Sequence, residues 1–106
     1  MFGDRMYVVV RKDLPLSQIV VQASHAVAEY LLNYRQPPLG VGDWDNGKMV
    51  VLGVRSLEEL NEIQETLRTG GMSFSVFKET DLDNEATALA FIHRGRCSFL
   101  DHLPML

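Results

Sequence analysis

The chain has 106 residues, of which 46% are hydrophobic and 23% are charged, and this composition predicts one soluble globular domain spanning residues 1–106. Fourteen acidic residues against ten lysines and arginines give a net charge of -4, which excludes a protein held to nucleic acid mainly by long-range attraction; any nucleic-acid site must be a local patch. A single cysteine, Cys97, excludes a disulfide framework and multi-cysteine zinc motifs, and we expect it to be a free, inert thiol.

The first strand and the first helix have clear signals. Residues 6–10 form a short β-branched run that is apolar on both alternating faces, which predicts a strand buried on both sides. Pro15 is typical of a loop that enters a helix. Residues 17–34 contain no proline or glycine and predict a long helix with Ser17 as its N-cap. The expected apolar face of this helix comprises Leu16, Ile19, Val20, Ala23, Ala26, Val27, Tyr30 and Leu31.

The remaining elements alternate with turn signals. Residues 35–47 have loop chemistry and end in an Asp-Asn-Gly turn. Residues 48–54 predict a second strand, and Ser56 with Glu59 forms a capping box that opens a helix ending at Gly70. Residues 72–77 and 86–93 predict two further strands, joined by an acidic connector at residues 79–85. An apolar tail follows at residues 98–106.

The order β-α-β-α-β-β predicts an α/β fold, a single layer of four-stranded mixed sheet with helices on both faces. The first two strands should be parallel and the last two antiparallel, and the tail can pack on its own sheet or on a partner. Ligands of open sheets bind beyond the C-terminal ends of parallel strands. Arg11, Lys12 and Asp13 follow the first strand, so they form either a solvated strand end or part of a site. Arg94 and Arg96 form either a solvated exit from the last strand or, as the segregation of charge along the chain permits, part of a basic face with Arg11 and Lys12.

Four polar side chains form a stripe on the first helix. Gln18, Gln22, His25 and Glu29 are spaced by four, three and four residues and therefore share one face. A stripe this narrow is either a thin solvent edge or the wall of a site. His25 has the side chain best suited to acid-base catalysis near neutral pH, and Glu29 can orient it. The two glutamines can donate hydrogen bonds to an anionic or carbonyl oxygen.

Several classes of function find no support in the sequence. The glycines have none of the spacings that cradle phosphates between a strand and a helix. The three histidines lie far apart without metal-ligand spacing, so we expect no metal site and no cofactor. With no apolar run of membrane-spanning length and no signal-peptide pattern, we expect a cytoplasmic protein that does not enter a membrane.

Two segments resemble the type 2 peptidyl-tRNA hydrolases. The sequence reads Met-Tyr-Val-Val-Val-Arg-Lys-Asp-Leu from residue 6 and Gln-Ala-Ser-His-Ala from residue 22. The family begins with a strand, Arg-x-Asp-Leu and a helix bearing Ala-Gln-x-x-His-Ala. The segment from Asn84 to Thr87 is similar to the Asn-x-Ala-Thr of a divergent, eukaryote-known branch of the same superfamily.

The resemblance implies a helix-covered sheet, a plausible homodimer, and metal-free hydrolysis of the ester that joins a peptide to the 3′ ribose of tRNA. The residues that occupy family motif positions are Arg11, Asp13, Gln22 and His25. Gln18 stands where the family carries a lysine at the start of the helix, and Lys12 can reach the same space. Glu79 stands where the family has an aspartate, and Thr87 is the counterpart of a threonine.

The leading hypothesis is therefore a peptidyl-tRNA hydrolase that acts on tRNA carrying a peptide. The catalytic candidates are His25 as acid or base, Gln22 and Gln18 placing or polarising the ester, and Glu79. The substrate-binding candidates are Arg11 and Lys12 on tRNA phosphates, Asp13 and Thr87. Two alternatives remain open: a non-catalytic family member that binds tRNA or a protein partner, and a small-molecule or protein-interaction module without a role in RNA.

Overall fold

The computed structural model describes residues 3–34 and 44–106 and has the predicted order of elements. Residues 35–43 of the predicted loop lie outside the described residues. The strands are β1 (Asp4–Arg11), β2 (Met49–Val54), β3 (Ser75–Glu79) and β4 (Glu85–Arg94), and the helices are α1 (Leu16–Asn33) and α2 (Leu57–Thr69). Short 3-10 turns span Thr80–Leu82 and Ser98–Leu100. The predicted Asp-Asn-Gly turn is confirmed, since the Gly47 N–H donates to Asp45 Oδ1 (2.9 Å).

The strands form one open mixed sheet in the order β2-β1-β4-β3. β1 is parallel to β2 and antiparallel to β4, and β4 is also antiparallel to β3. β1, β2 and β3 therefore end at the same edge of the sheet, where β4 begins. The predicted α/β fold with a parallel first pair and an antiparallel last pair is confirmed.

The centre of the core is β1. Met6, Val8, Val9 and Val10 are completely buried, because helices cover both faces of the sheet. The β1-α1-β2 and β2-α2-β3 connections cross the sheet in opposite directions, and right-handed crossovers then place α1 and α2 on opposite faces. Burial of each valine side chain stabilises the fold by about 1.5–3 kcal/mol relative to leaving it exposed. The charged residues that follow β1 are therefore attached to a firmly held strand.

The predicted N-cap of α1 is wrong. The helix begins at Leu16, and the residue before it is Pro15, which has an extended backbone and no capping side chain. The N–H groups of Gln18 and Ile19 both donate to the carbonyl oxygen of Pro15 (2.9 and 3.0 Å). Ser17 therefore lies inside the first turn, because the backbone of the preceding proline already supplies the acceptor that a capping serine would offer.

β3 begins at Ser75, three residues later than predicted. The chain after α2 first completes a C-terminal turn, in which Gly71 has a φ of 71° and the Met72 N–H donates to the carbonyl oxygen of Leu67 (3.0 Å). Glycine adopts this left-handed conformation without steric cost. The apolar residues that follow the turn are therefore partly used to close the helix end rather than to extend the strand.

Part of the predicted apolar face of α1 is exposed to solvent. Leu16 is 77% exposed and Val20 is 61% exposed. α1 packs mainly over β1, β4 and β3. On the face of the sheet that α1 covers, the edge strand β2 is left uncovered by the helix. An apolar groove of about 530 Å³ results between α1, β2 and the last residue, Leu106.

The C-terminal tail closes the outer edge of β2. Leu100 and Leu103 are buried, and the Gly53 N–H donates to the carbonyl oxygen of Pro104 (2.9 Å). An unpaired sheet edge is a site for association with other strands, and the tail removes that site here. Of the two packings that the sequence leaves open, this part of the tail adopts the one on its own sheet.

Candidate functional site

The ends of the three parallel strands bring the predicted residues to one edge of the sheet. Arg11 ends β1, Glu79 ends β3, and the first turns of α1 carry Gln18 and Gln22 above this edge. Ligands of open α/β sheets bind at such an edge because the connecting loops and helix starts leave a crevice there.

Gln22 lies at the centre of a hydrogen-bond network between α1 and the sheet. Its side chain is completely buried. Gln22 Nε2 donates to Gln18 Oε1 (3.1 Å) and to Glu79 Oε1 (2.9 Å), and Gln22 Oε1 accepts a bond from Thr87 Oγ1 (2.6 Å). Both amide hydrogens and the carbonyl oxygen therefore have partners, which fixes the orientation of the amide. The structure thus brings together four predicted residues from three different elements.

A β-bulge aims Thr87 at this network. The pairing of β3 with β4 passes from Phe77 opposite Ala88 to Lys78 opposite Ala86, so Thr87 has no partner in this ladder. The Thr87 hydroxyl also lies 3.3 Å from the carbonyl oxygen of Phe77. Bulges commonly redirect a side chain next to a functional site. Here the bulge directs the Thr87 hydroxyl, rather than an apolar side chain, to the amide oxygen of Gln22.

An open cleft of about 310 Å³ lies beside the network, and we call it the acidic cleft. It is lined by Leu14, Pro15, Gln18, Glu79, Asp81 and Leu82. Within the described part of the chain, the second carboxylate oxygen of Glu79 and the Nε2 group of Gln18 have no hydrogen-bond partner. The cleft therefore offers one free acceptor that can take a proton and one amide donor that can face a carbonyl oxygen.

His25 lies outside this network. Its ring is exposed and stacks on Phe77, with ring centroids 4.3 Å apart and planes 11° from parallel. Among the residues that the structure describes, His25 makes no hydrogen bond, and the expected orientation by Glu29 is not formed. The stack places the His25 ring against Phe77, which lies two residues before Glu79 on β3. Both ring nitrogens remain available to solvent or a substrate.

Arg11 and Asp13 brace the end of β1. Arg11 is 7% exposed; its Nε and Nη2 donate to the two Asp13 oxygens (3.0 and 2.8 Å), and Nη1 donates to Glu85 Oε1 (2.8 Å) and the Ala86 carbonyl (3.2 Å). The bonds from Arg11 lower the pKa of Asp13, and the two carboxylates raise the pKa of Arg11. These contacts give the pair a structural role, and its predicted contact with substrate stays a prediction.

The other basic residues separate into two groups. Lys12 follows β1 at the same edge as Glu79 and is exposed. Arg94 ends β4, which runs the other way, and Arg96 follows it, so both lie at the opposite edge. The four basic residues therefore do not form one basic face, because β4 runs antiparallel to β1.

Comparison with known proteins settles the family. The family model described as Peptidyl-tRNA hydrolase PTH2 matches residues 5–94, most of the chain and all of the network. The chain belongs to this family. A comparison with curated proteins finds no significant match. A solved structure of a protein of unknown function from Agrobacterium tumefaciens strain C58 is similar, with a TM-score of 0.73 and 15% identity, over 100% of this chain and 99% of that one. At this identity the likeness shows a shared fold.

The described lining of the acidic cleft carries no positive charge. Its only charged side chains in that part of the chain are Glu79 and Asp81. Gln18, which the family resemblance aligns with a lysine, offers a neutral amide there instead.

Sequence reasoning missed three contributors to the site. Glu85 receives the Arg11 guanidinium, Phe77 carries the His25 ring, and Asp81 lines the acidic cleft. All three lie on or next to the β3–β4 hairpin, whose Asp83 and Asn84 both have positive φ. Consecutive Asp and Asn residues favour a left-handed turn, and this signal could have placed the hairpin and its flanking side chains next to α1.

The described residues offer no metal cluster and no reactive cysteine. No group of three His, Cys, Asp or Glu side chains is placed to hold a metal ion in residues 3–34 and 44–106. Cys97 is a free, buried thiol, and burial raises its pKa to about 11, which suppresses the reactive thiolate. No helix within these same two ranges is long and apolar enough to cross a membrane.

Proposed function

We propose that this chain hydrolyses the ester between a peptide and the 3′ ribose of tRNA. The observation that carries the proposal is the network in which Gln22 links Gln18, Glu79 and Thr87 beside an open cleft. Family membership supplies the substrate class, and the network supplies a base and a donor on a fixed scaffold. Fixed groups need no reorganisation during the reaction, which is the main source of their catalytic effect.

The proposed reaction uses water as the nucleophile. Glu79 accepts a proton from water as the water oxygen bonds to the ester carbonyl carbon, and Gln18 Nε2 donates to the carbonyl oxygen as it gains negative charge. The bond between this carbon and the ribose oxygen then breaks, and the ribose oxygen takes up a proton. The products are a peptide with a free carboxyl group and a tRNA with a free 3′ hydroxyl.

The remaining residues have supporting roles in this proposal. Gln22 is a positioning residue, because its saturated amide holds Glu79 and Gln18 and leaves no group for the substrate. Thr87 fixes Gln22 from below. His25 is the candidate acid that protonates the leaving ribose oxygen, since its ring is exposed next to Glu79 on the Phe77 platform.

The direct test is hydrolysis of N-acetyl-aminoacyl-tRNA by the purified chain and by Glu79→Gln. Loss of a general base lowers a rate by about 100- to 10,000-fold, so we expect a loss in that range. Glu62→Gln is the matched control, because Glu62 is an exposed carboxylate on α2 and its change should leave the rate intact. Equal rates for the chain and Glu79→Gln would remove Glu79 from the mechanism.

A second candidate function is tRNA binding without hydrolysis. The observation in its favour is the acidic cleft itself, which has lost the family's positive charge at Gln18. This candidate predicts tRNA binding that weakens steeply with salt and no ester cleavage. Appearance of cleavage in Gln18→Lys, with none in the unchanged chain, would support it and would show that only the charge is missing.

The homodimer and the cytoplasmic location stay predictions. The molar mass of the chain in solution tests the first: twice 12.0 kDa is the value expected for a homodimer. A value of 12.0 kDa over a broad range of concentrations would contradict it.

A further inference from the structure

A second cleft lies at the same edge of the sheet, where β1 and β2 end. Its volume is also about 310 Å³. The lining residues are Lys12, Arg55, Glu59, His102, Leu103 and Pro104. Three of the six carry nitrogen donors and one carries a carboxylate, so we call it the basic cleft.

The single carboxylate of the basic cleft is already neutralised. Glu59 Oε1 accepts from the Arg55 backbone N–H (2.7 Å) and Oε2 accepts from Arg55 Nη2 (3.1 Å). These bonds, the backbone one first, lower the pKa of Glu59 and keep it ionised against Arg55. The predicted capping box is present in part, since Ser56 Oγ also accepts from the Glu59 N–H (3.2 Å). The Glu59 carboxylate is therefore engaged at the start of α2, and it has little capacity left to bind a ligand.

Lys12 keeps an uncompensated charge. The nearest carboxylate along the chain, Asp13, is engaged by both Nε and Nη2 of Arg11. Within residues 3–34 and 44–106, the Lys12 ammonium has no ion pair. The basic cleft thus carries a net positive charge on a chain whose total charge is -4.

Gly53 sets the path of the Lys12 side chain. A Cβ atom on Gly53 would lie 2.5 Å from Lys12 Cγ and 2.6 Å from Lys12 Cδ, closer than real Cβ contacts. The missing side chain therefore makes room for the lysine stem on the surface of β2. A stem held in this way loses less conformational freedom when its ammonium binds a ligand.

We infer that the basic cleft binds phosphate groups of an RNA substrate. The inference rests on the proposed function, which supplies RNA as the ligand. Strands lie about 4.8 Å apart, so two to three strand spacings, about 10–14 Å, separate the basic cleft from the acidic cleft. One nucleic-acid strand can span both, with phosphates on Lys12, Arg55 and the His102 imidazole, and with its 3′ end at Glu79. The acidic cleft repels phosphates and accepts only the uncharged ester end.

The test measures binding of deacylated tRNA to the full chain over a series of salt concentrations. Each phosphate contact contributes about 0.7–0.9 to the slope of log affinity against log salt, or about fivefold in affinity at 0.1 M salt. We expect Lys12→Gln and Arg55→Gln each to lose about that much, and the double variant about 25-fold. Lys48→Gln is the matched control, because Lys48 lies just before β2 at the opposite edge and should change nothing.

Gly53→Ala tests the same cleft without changing a charge. The added methyl displaces the Lys12 stem, so we expect a loss of affinity no larger than that of Lys12→Gln, about fivefold or less. Circular dichroism of each variant verifies folding. Slopes that are unchanged in Lys12→Gln and Arg55→Gln, or reduced as much by Lys48→Gln, would overturn the inference.

Hydrolysis separates this inference from the proposed function. If the chain cleaves N-acetyl-aminoacyl-tRNA but Lys12→Gln and Arg55→Gln leave the salt dependence of binding unchanged, the role of the basic cleft is refuted and the hydrolase function is retained. Salt-sensitive binding through the cleft with no cleavage supports the cleft and refutes the hydrolase. Binding of inorganic phosphate that saturates as strongly as tRNA would also overturn the inference, because it would show a site for the free ion.

Discussion

The acidic cleft and the basic cleft have the same volume and lie at the same edge of the sheet, yet they are built differently. The acidic cleft is backed by the buried amide of Gln22, which holds Glu79 and Gln18 in place. In the basic cleft Lys12, Arg55 and His102 are exposed, and Lys12 has no ion pair among the described residues. A rigid group can act on a reacting bond, whereas long, solvated cations attract a polyanion. The difference supports the proposed division, in which the basic cleft binds RNA and the acidic cleft holds the groups for the chemistry.

Arg11 stands between the two clefts and belongs to neither. Its guanidinium joins Asp13 to Glu85 and so fixes the end of β1 to the start of β4. In this chain Arg11 and Asp13 therefore act as a brace. Lys12, the residue between the two motif positions, is the one that remains exposed for a ligand.

Among the supporting residues, we expect the largest effect from Gln22, which holds the acidic cleft in place. In Gln22→Met, Glu79 and Gln18 lose their shared donor, and we expect kcat to fall about 100-fold, the scale of removing a positioned group, with KM unchanged. The equivalent change of a glutamine on α2 that takes no part in the network, Gln64→Met, is the control. A wild-type kcat in Gln22→Met would show that the network does not support catalysis.

Breaking the brace at Arg11 should lower the stability of the fold more than it changes the groups of either cleft. Arg11→Met leaves Asp13 and Glu85 without a partner, and hydrogen bonds to charged groups contribute about 1.5–3 kcal/mol each. Solvent screens both carboxylates, so we expect the free energy of unfolding to fall by about 2–3 kcal/mol. Urea unfolding measures it; a change below about 0.5 kcal/mol, the size of an ordinary surface substitution, would contradict the brace.

A smaller effect should follow from Thr87→Val. The valine keeps the shape of the bulge but removes the donor to Gln22 Oε1, and an unsatisfied buried group costs about 1–3 kcal/mol. Thr66→Val on the exposed side of α2 is the control, with an expected change within about 0.5 kcal/mol. Equal losses in the two variants would indicate that the hydroxyl of Thr87 contributes nothing specific.

The smallest effect is the pH dependence of the brace. Arg11 lowers the pKa of Asp13 in the folded chain, so the stability that this carboxylate contributes is fully present above its unfolded pKa, about 3.9. This contribution is lost as the pH falls through the lower folded value. Because Asp13 is partly exposed, we expect its difference from Asp13→Asn to be about 1 kcal/mol or less at pH 6. A difference that grows on acidification would contradict the sign.

The sequence predicted the fold and part of the site for different reasons. The alternation of strands and helices and the buried run of β1 determine the α/β order, because they reflect local periodicity and burial. The spacing of Gln18 and Gln22 correctly places the two amides in contact on one helix face. Only the family resemblance points to Glu79 and Thr87, since no local pattern ties them to α1.

The rest depends on contacts between distant elements. The sequence around Thr87 predicts an unbroken strand, because the bulge that turns the Thr87 hydroxyl to Gln22 forms only when β3 pairs with β4. The stacking of His25 on Phe77 likewise requires the position of α1 on the sheet. The basic cleft combines residues 12, 55 and 102, which no motif connects.

The most direct test of the division between the clefts is kcat and KM for N-acetyl-aminoacyl-tRNA, measured for Glu79→Gln and for the double variant Lys12→Gln, Arg55→Gln. We expect Glu79→Gln to lower kcat at an unchanged KM. We expect the double variant to raise KM about 25-fold at 0.1 M salt, an effect that shrinks with added salt, at an unchanged kcat. A double variant that lowers kcat as Glu79→Gln does, or a Glu79→Gln chain with full kcat, would contradict this division.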